Sequence, residues 1–297
     1  MKTAGRSDAK AFENLQQKSM MSTPFDAEKP LEGDWTRVGR GKRSPPKYLP
    51  GLDPPMKGLT LERLQADFKT KSKVWRHSTC RRETLAILDK QQPDAGWRLQ
   101  EAVCLATNSF SRENFQARQR STMQWVAFFD IVQYLQTKQE APVALLAQEP
   151  KYTALDEQFL QGLDVRVLEA ELNADDVAGL GETKQHVRAS SFVFEAFMDL
   201  GVEAVGDLFG GDPALYIGSS VERWRETPQR SGVASTTRRS AAEIVTDGRR
   251  NDDEEGEGGV TRSVAGFMGS RRSYRMPRFE EDPNIFDGLL IYWKEDG

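Results

Sequence analysis

The chain has few of the residues from which catalytic and metal sites are most often built. Its 297 residues include two cysteines and two histidines. Cys80 and Cys104 are too few for a disulfide framework or a zinc cluster, which indicates a reducing compartment. Neither His77 nor His186 lies beside a predicted strand end, so we do not expect a Ser–His–Asp triad. We predict no metal site, and the sequence identifies neither a catalytic residue nor a cofactor.

Long apolar runs and a cleavable signal pattern are also absent. None of the apolar runs approaches the ~18 residues that span a bilayer. We therefore expect no membrane association and a cytoplasmic and/or nuclear location. The net charge of -4 argues against nucleic-acid binding by the whole chain, although local basic segments escape that average.

What the sequence contains is a repeated alternation of strand-length apolar runs and helical segments. The first run, Ala102–Ala106, has the continuous apolar character of a strand that is buried on both faces. It precedes a helix predicted from Phe115 to Lys138, with apolar residues at spacings of three and four. Further strands are predicted at 142–148, 165–168, 191–197 and 214–217. The fold class is therefore α/β, with a mostly parallel sheet flanked by helices.

Composition divides the chain into four parts. Residues 1–58 are basic and rich in proline, and we predict a mostly disordered tail. Residues 59–222 form the α/β domain, which begins with one or two amphipathic helices capped at Thr60. Residues 223–282 are predicted to form a disordered charged insertion. Residues 283–297 regain apolar character and are expected to return to the core as a strand at the sheet edge.

The N-terminal tail contains one basic and aromatic segment, built from Trp35, Arg37, Arg40 and Arg43. Such a pattern can contact RNA or a partner protein, and a solvated basic tail is the alternative. The charged tails are likewise candidate surfaces for protein partners.

Polar residues follow three of the predicted strands. If the sheet is parallel, these strand ends meet at one edge, which is where open α/β sheets bind ligands. The candidate binding residues are Thr107, Asn108, Ser109, Gln148, Glu149, Gly218, Ser219 and Ser220. We expect a nucleotide-type small molecule at this edge.

Glu149 follows the second strand, where a carboxylate accepts hydrogen bonds from ribose hydroxyls in dinucleotide sites. It lies 40 residues after Ser109, against the ~20 of the nicotinamide fingerprint, and the first loop lacks that fingerprint's glycines. An ordinary loop charge is the alternative for Glu149. Gly218–Ser220 either binds phosphate or merely ends a strand. Glu195 either faces solvent at an edge or points into the cleft as an acid.

Several short motifs, in order, resemble those of the sensitivity-to-red-light-reduced (SRR-like) domain family in a fungal-type version. They are Asp34-Trp-Thr-Arg-Val-Gly-Arg40, Cys104-Leu-Ala-Thr-Asn-Ser-Phe110, Gln124, Ala147-Gln-Glu-Pro-Lys-Tyr152 and Tyr216-Ile-Gly-Ser219. The resemblance covers residues 34–44 and about 95–222. It implies a Rossmann-like regulatory domain without an established reaction, in a family associated with circadian and light signalling, haem synthesis and cytoskeletal phenotypes. The family's glycine-rich first loop is Ala-Thr-Asn here, and its Met-Pro-His-like stretch is Phe194-Glu-Ala-Phe197.

The leading hypothesis is therefore an SRR-like regulatory protein whose Rossmann-like core binds a nucleotide-type small molecule. One alternative is a cofactor-dependent enzyme of methyltransferase or oxidoreductase type, in which Asn108, Glu149 and Ser219 hold the cofactor in the same cleft. Another is an RNA or protein interaction module that works through the basic tail.

Overall fold

A computed structural model describes residues 53–172, 177–196, 202–222, 224 and 254–294. The basic and aromatic segment of the N-terminal tail lies outside these residues, as does most of the tail itself. Residues 225–253 of the predicted insertion also lie outside them.

Helices and strands alternate along the described part of the chain. The helices are α1 (Leu61–His77), α2 (Thr79–Lys90), α3 (Phe115–Gln136), α4 (Ala154–Gln161), α5 (Val202–Gly210) and α6 (Glu254–Gly269), with a 3-10 helix at Gly181–Gln185. The strands are β1 (Glu101–Leu105), β2 (Ala144–Gln148), β3 (Val165–Val167), β4 (Glu171–Leu172), β5 (Val177–Gly179), β6 (Ser191–Glu195), β7 (Leu215–Ser219), β8 (Arg271–Arg275) and β9 (Leu289–Lys294).

The central sheet has seven strands in the order β3-β2-β1-β6-β7-β9-β8. Strands β3, β2, β1, β6 and β7 are parallel, which confirms the predicted mostly parallel sheet. Strand β9 runs antiparallel to β7 on one side and to β8 on the other. The C-terminal segment therefore returns to the core as predicted, but it enters the sheet between two strands and does not lie at its edge.

Local sequence signals account for the helix boundaries. The side chains of Thr60 and Asn114 accept hydrogen bonds from the first turns of α1 and α3, as N-caps do. Thr153 and Asp156 form a capping box at the start of α4, and Gly162 follows its last residue. Among them, Thr60 is the N-cap that the sequence analysis predicts.

Helices cover both faces of the sheet. One face packs against α1, α2, α3 and α4 around large side chains such as Trp75, Trp125 and Phe128. The other face packs against α5 and α6, with Phe209 and Phe267 at the centre. Residues 102–105 of β1 are accordingly all buried, which explains the continuous apolar run from which this strand was predicted.

The structure corrects the end of the predicted disordered insertion, because residues 254–269 form α6 and residues 271–275 form β8. Val264 and Phe267 of α6 are buried against α5. Strand β8 completes a hairpin with β9. The average composition of residues 223–282 hides these few apolar side chains, which order the segment through contacts with distant parts of the chain.

Candidate functional site

The order of the parallel strands creates a switch point beside β1. From β1 the chain builds outward through β2 and β3, and it then returns to the other side of β1 to build β6 and β7. Leu105 at the end of β1 pairs with Gln148 of β2 and with Glu195 of β6. Open α/β sheets bind ligands outside the carboxyl ends of such strands. The predicted binding residues of all three strand ends therefore lie at this edge.

Glu149 joins the tips of β1 and β2. Its side chain accepts hydrogen bonds from the backbone N–H of Asn108 at 2.7 Å and from that of Lys151 at 2.9 Å. The residue is buried, and this burial raises the pKa of Glu149 while the two N–H donors partly offset the effect. Glu149 thus holds the loop after β1 in place, and each carboxylate oxygen retains a further lone pair for another donor.

The loop after β1 is held by side chains in place of glycines. Ala106 and Asn108 have left-handed backbone conformations, with φ of 57° and 64°. Asn108 stabilises its own conformation locally, because its side-chain oxygen accepts the N–H of Ser109 at 2.7 Å. Thr107 is buried, and its hydroxyl lies 2.9 Å from that of Tyr152.

Asp156 fixes the far part of the same loop. Its carboxylate accepts the hydroxyl of Ser109 at 2.6 Å and the N–H of Phe110 at 3.1 Å, while also accepting the N–H of Thr153 at 2.8 Å. The side chain is fully buried, and burial raises the pKa of Asp156 against the effect of these donors. One carboxylate therefore caps α4 and ties that helix to the loop.

Gln148 points to the face of the sheet away from this network. Its amide nitrogen donates to the carbonyl oxygens of Glu169 at 2.7 Å and Leu180 at 2.8 Å. These carbonyls belong to the connection between β3 and β6. Gln148 is thus at the predicted edge, where its amide positions the neighbouring connection.

Glu195, at the end of β6, forms a second group with residues of β7. Its carboxylate accepts the hydroxyl of Tyr216 at 2.9 Å and the backbone N–H of Ser219 at 2.8 Å, and the Ser219 hydroxyl lies 3.4 Å away. All three residues are buried. The structure therefore settles the position of Glu195, which lies inside the protein beside the switch point and does not face solvent.

Gly218 belongs to β7, where it pairs with Leu290, and not to a turn after the strand as expected from the sequence. A Cβ at this position would lie 2.4 Å from the hydroxyl of Tyr216 and 2.8 Å from a carboxylate oxygen of Glu195. The missing side chain makes room for the Tyr216 ring to reach Glu195. Ser220 follows the strand and is partly buried.

The structure thus brings Asn108 and Glu149 into direct contact at the edge where the strand ends meet, and it pairs Ser219 with Glu195. Sequence reasoning missed Asp156 and Tyr152 as partners of the first loop. Asp156 had a usable signal, because Thr153-x-x-Asp156 is a capping pattern directly after a strand tip. Tyr152 and Tyr216 belong to the motifs that resemble the SRR-like family, but no local pattern indicates their hydrogen-bond partners, which depend on how the neighbouring strands are aligned.

Together these features define a Rossmann-like α/β domain with a candidate ligand site at the carboxyl edge of its sheet. The profile of the SRR1 domain matches residues 71–293, and the chain belongs to this family. That match includes α6, β8 and β9. No curated protein and no solved structure matches the chain.

Two further findings concern only the residues that the structure describes. None of their helices combines the length and the apolar character that a membrane crossing requires. They also contain no group of three or more His, Cys, Asp or Glu side chains placed to hold a metal ion.

Proposed function

We propose that this domain binds a nucleotide-type small molecule at the carboxyl edge of its sheet, and that it acts in regulation of the kind that the SRR-like resemblance implies. One observation carries the proposal. The buried carboxylate of Glu149 lies at the tip of β2 and contacts the loop after β1, which is the position of the ribose-binding acid in dinucleotide folds.

The chemistry of the edge supports binding more than acid–base catalysis. His186 lies with Glu101, the first residue of β1, at the opposite edge of the sheet, and its Nδ1 is 2.9 Å from that carboxylate. His77 is the last residue of α1. At the candidate site, the carboxylates of Glu149, Asp156 and Glu195 each accept a hydrogen bond from a backbone N–H group. They are therefore engaged in positioning the loops.

The order of the strands favours one second candidate, an enzyme of methyltransferase type. A classic dinucleotide-binding sheet has the order 3-2-1-4-5-6 with parallel strands. Here two more strands follow the fifth parallel one, and the last strand in the chain is inserted antiparallel between its neighbours. This arrangement is typical of Rossmann-like methyltransferases, and it is the observation that makes methyl transfer the second candidate function.

Calorimetric titration of the full chain with adenosine, S-adenosylmethionine and NAD tests the proposal. We expect saturable binding of at least one ligand, weakened about tenfold by Glu149→Gln, because a hydrogen bond to a charged acceptor is lost. Glu140→Gln, an exposed change in the loop before β2, is the matched control and should leave affinity unchanged. Absence of binding by all three ligands would contradict the proposal.

The methyltransferase candidate requires turnover as well as binding. Incubation with S-adenosylmethionine carrying a labelled methyl group, together with a cell extract, should transfer label to an acceptor if the candidate is correct. Binding of S-adenosylmethionine without transfer of label would contradict the methyltransferase candidate and leave the regulatory function as the proposal.

A further inference from the structure

The loop after β1 uses its backbone N–H groups within the protein. Sites for phosphate present such N–H groups, unpaired, to the ligand. In this loop the acceptors are nearby side-chain oxygens: Asn108 N donates to Glu149 Oε2 (2.7 Å), Ser109 N to Asn108 Oδ1 (2.7 Å), Phe110 N to Asp156 Oδ1 (3.1 Å) and Ser111 N to Ser109 Oγ (3.1 Å). A phosphate in this loop would have to displace those acceptors.

The N-terminus of the following helix is not joined directly to the strand tip. In dinucleotide folds that helix starts straight after a glycine turn, so its N-terminus faces the pyrophosphate. Here residues 106–114 intervene between β1 and α3. Residues 54–56 pair with this segment through Met56 N to Ser111 O and Glu113 N to Pro54 O, both at 2.8 Å. Asn114 caps the helix by accepting the N–H of Ala117 at 3.0 Å.

Charge at the loop also opposes a phosphate. Two buried carboxylates, Glu149 and Asp156, bond directly to it. The neighbouring cations Lys151, Arg112 and Arg118 act in the other direction. However, the Arg112 guanidinium already donates to the carbonyl oxygens of Lys151 at 2.9 Å and Asp53 at 2.7 Å. The Arg118 guanidinium likewise already donates to two carbonyl oxygens of the loop, at 2.8 and 3.1 Å. Because a phosphate monoester carries a charge of about −1.5 to −2, the two carboxylates that contact the loop make its entry unfavourable.

From this arrangement we infer that the site selects a nucleoside-type ligand with a free vicinal diol and no phosphate groups; the inference rests on the proposed function. Glu149 retains acceptor capacity on both oxygens, and a ribose diol supplies two hydroxyl donors. Adenosine and S-adenosylmethionine belong to this ligand class. NAD, AMP and ATP contain phosphate groups and fall outside it. The methyltransferase-type strand order described above agrees with this class, because S-adenosylmethionine has no phosphate group.

The sharpest test compares adenosine with AMP, because the two differ only by one phosphate. In calorimetric titrations of the full chain we expect AMP to bind at least about tenfold more weakly than adenosine, since the loop N–H groups of residues 108–111 already have acceptors. NAD should be similarly weak, and 2′-deoxyadenosine should lose about tenfold because it lacks one donor to Glu149.

The Glu149→Gln variant tests whether the carboxylate of Glu149 causes the preference for adenosine over AMP. Glu149→Gln removes one negative charge and the charged acceptor for the diol, so the affinity for adenosine should fall. Because the repulsion of phosphate is also reduced, the preference for adenosine over AMP should become smaller. Glu140→Gln should leave that preference unchanged. The wild-type comparison of adenosine with AMP needs no variant, so a folding defect in Glu149→Gln would not affect it.

The outcomes separate this inference from the function on which it rests. Binding of AMP or NAD as tightly as adenosine, or more tightly, would overturn the exclusion of phosphate and leave ligand binding at the edge intact. Binding of none of the ligands, phosphorylated or not, would overturn the proposed function and the inference with it.

Discussion

Replacing Gly218 by alanine should destabilise the protein strongly, although the change adds a single methyl group. The new Cβ would lie 2.4 Å from the Tyr216 hydroxyl, 2.5 Å from the ring carbon that carries it and 2.8 Å from Glu195 Oε2. Both neighbours are fully buried. Overpacking of this kind costs about 1–3 kcal/mol, and displacing a buried hydrogen-bonded hydroxyl adds about 1–3 kcal/mol.

We therefore expect Gly218→Ala to lower the free energy of unfolding by about 3 kcal/mol, a large part of the roughly 5–15 kcal/mol of an ordinary domain. Urea unfolding followed by tryptophan fluorescence measures this difference. Gly266→Ala is the matched control, because Gly266 lies on an exposed part of α6 and a methyl group there would have no heavy atom within 4 Å. It should gain about 0.5–1 kcal/mol from helix propensity.

A double change tests whether Tyr216 is the group that the added methyl would meet. In a Tyr216→Phe background the penalty of Gly218→Ala should fall, because the hydroxyl nearest the new methyl group is gone. It should remain positive, since the ring carbon lies only 2.5 Å away. A Gly218→Ala protein within about 0.5 kcal/mol of wild type, the size of an ordinary surface change, would refute the reasoning.

Three further predictions concern other buried polar groups. Arg271→Lys should cost about 2 kcal/mol in urea unfolding, because lysine cannot reproduce the guanidinium contacts with Asp212 (2.6 Å) and the Pro213 carbonyl; a loss below about 0.5 kcal/mol would contradict this. Burial raises the pKa of Asp156, so its protonation favours the fold. The free energy of unfolding of wild type should therefore rise relative to that of Asp156→Asn as the pH falls from 7 toward about 4. A decrease of this difference over the same pH range would contradict the prediction. Burial raises the pKa of Cys80 to about 12 and that of Cys104 well above its usual value. Both thiols should resist alkylation in the native protein and react on unfolding in urea, and rapid native labelling would disprove it.

The parts of the fold that depend on local pattern were predicted correctly. Strand β1 is a continuous apolar run, and α3 follows it with a period of three and four, so both could be located from neighbouring residues alone. The N-cap Thr60, which begins α1, is equally local. The alternation of these elements was then enough to predict parallel strands.

The last two strands could not be placed in this way. Strand β8 is mostly exposed, and its partner β9 begins fourteen positions after β8 ends, at Leu289. Whether β9 lies at the edge or between two strands is decided by pairing with β7, whose position in the chain is distant. Averaging over residues 223–282 also conceals α6, because the apolar residues Val264 and Phe267 are outnumbered by the polar and charged residues of that range.

The same distinction between local pattern and distant pairing applies to the candidate site. The meeting of the loop after β1 and Glu149 at one edge follows from the parallel topology, from which the sequence analysis expected the strand ends to converge. The direction of Gln148 and the bond of Glu195 to Tyr216 depend on which face each residue occupies and on the empty space above Gly218. A shift of one residue in register would reverse those faces, so composition alone cannot specify them.

The spacing of Glu149 from the first loop has a structural explanation that bears on its function. The ~20-residue spacing of the nicotinamide fingerprint presumes a glycine turn that leads at once into the helix. In this chain residues 106–114 precede α3, and α3 itself has 22 residues, so the next strand tip falls later in the sequence while its place beside β1 is unchanged. The same extended loop draws its N–H acceptors from Glu149 and Asp156. The loop of residues 106–114 therefore contributes to the long spacing and is also the part whose N–H groups at residues 108–111 are paired internally. Under the proposal made above, this pairing favours a ligand bound through its hydroxyls over one bound through a phosphate.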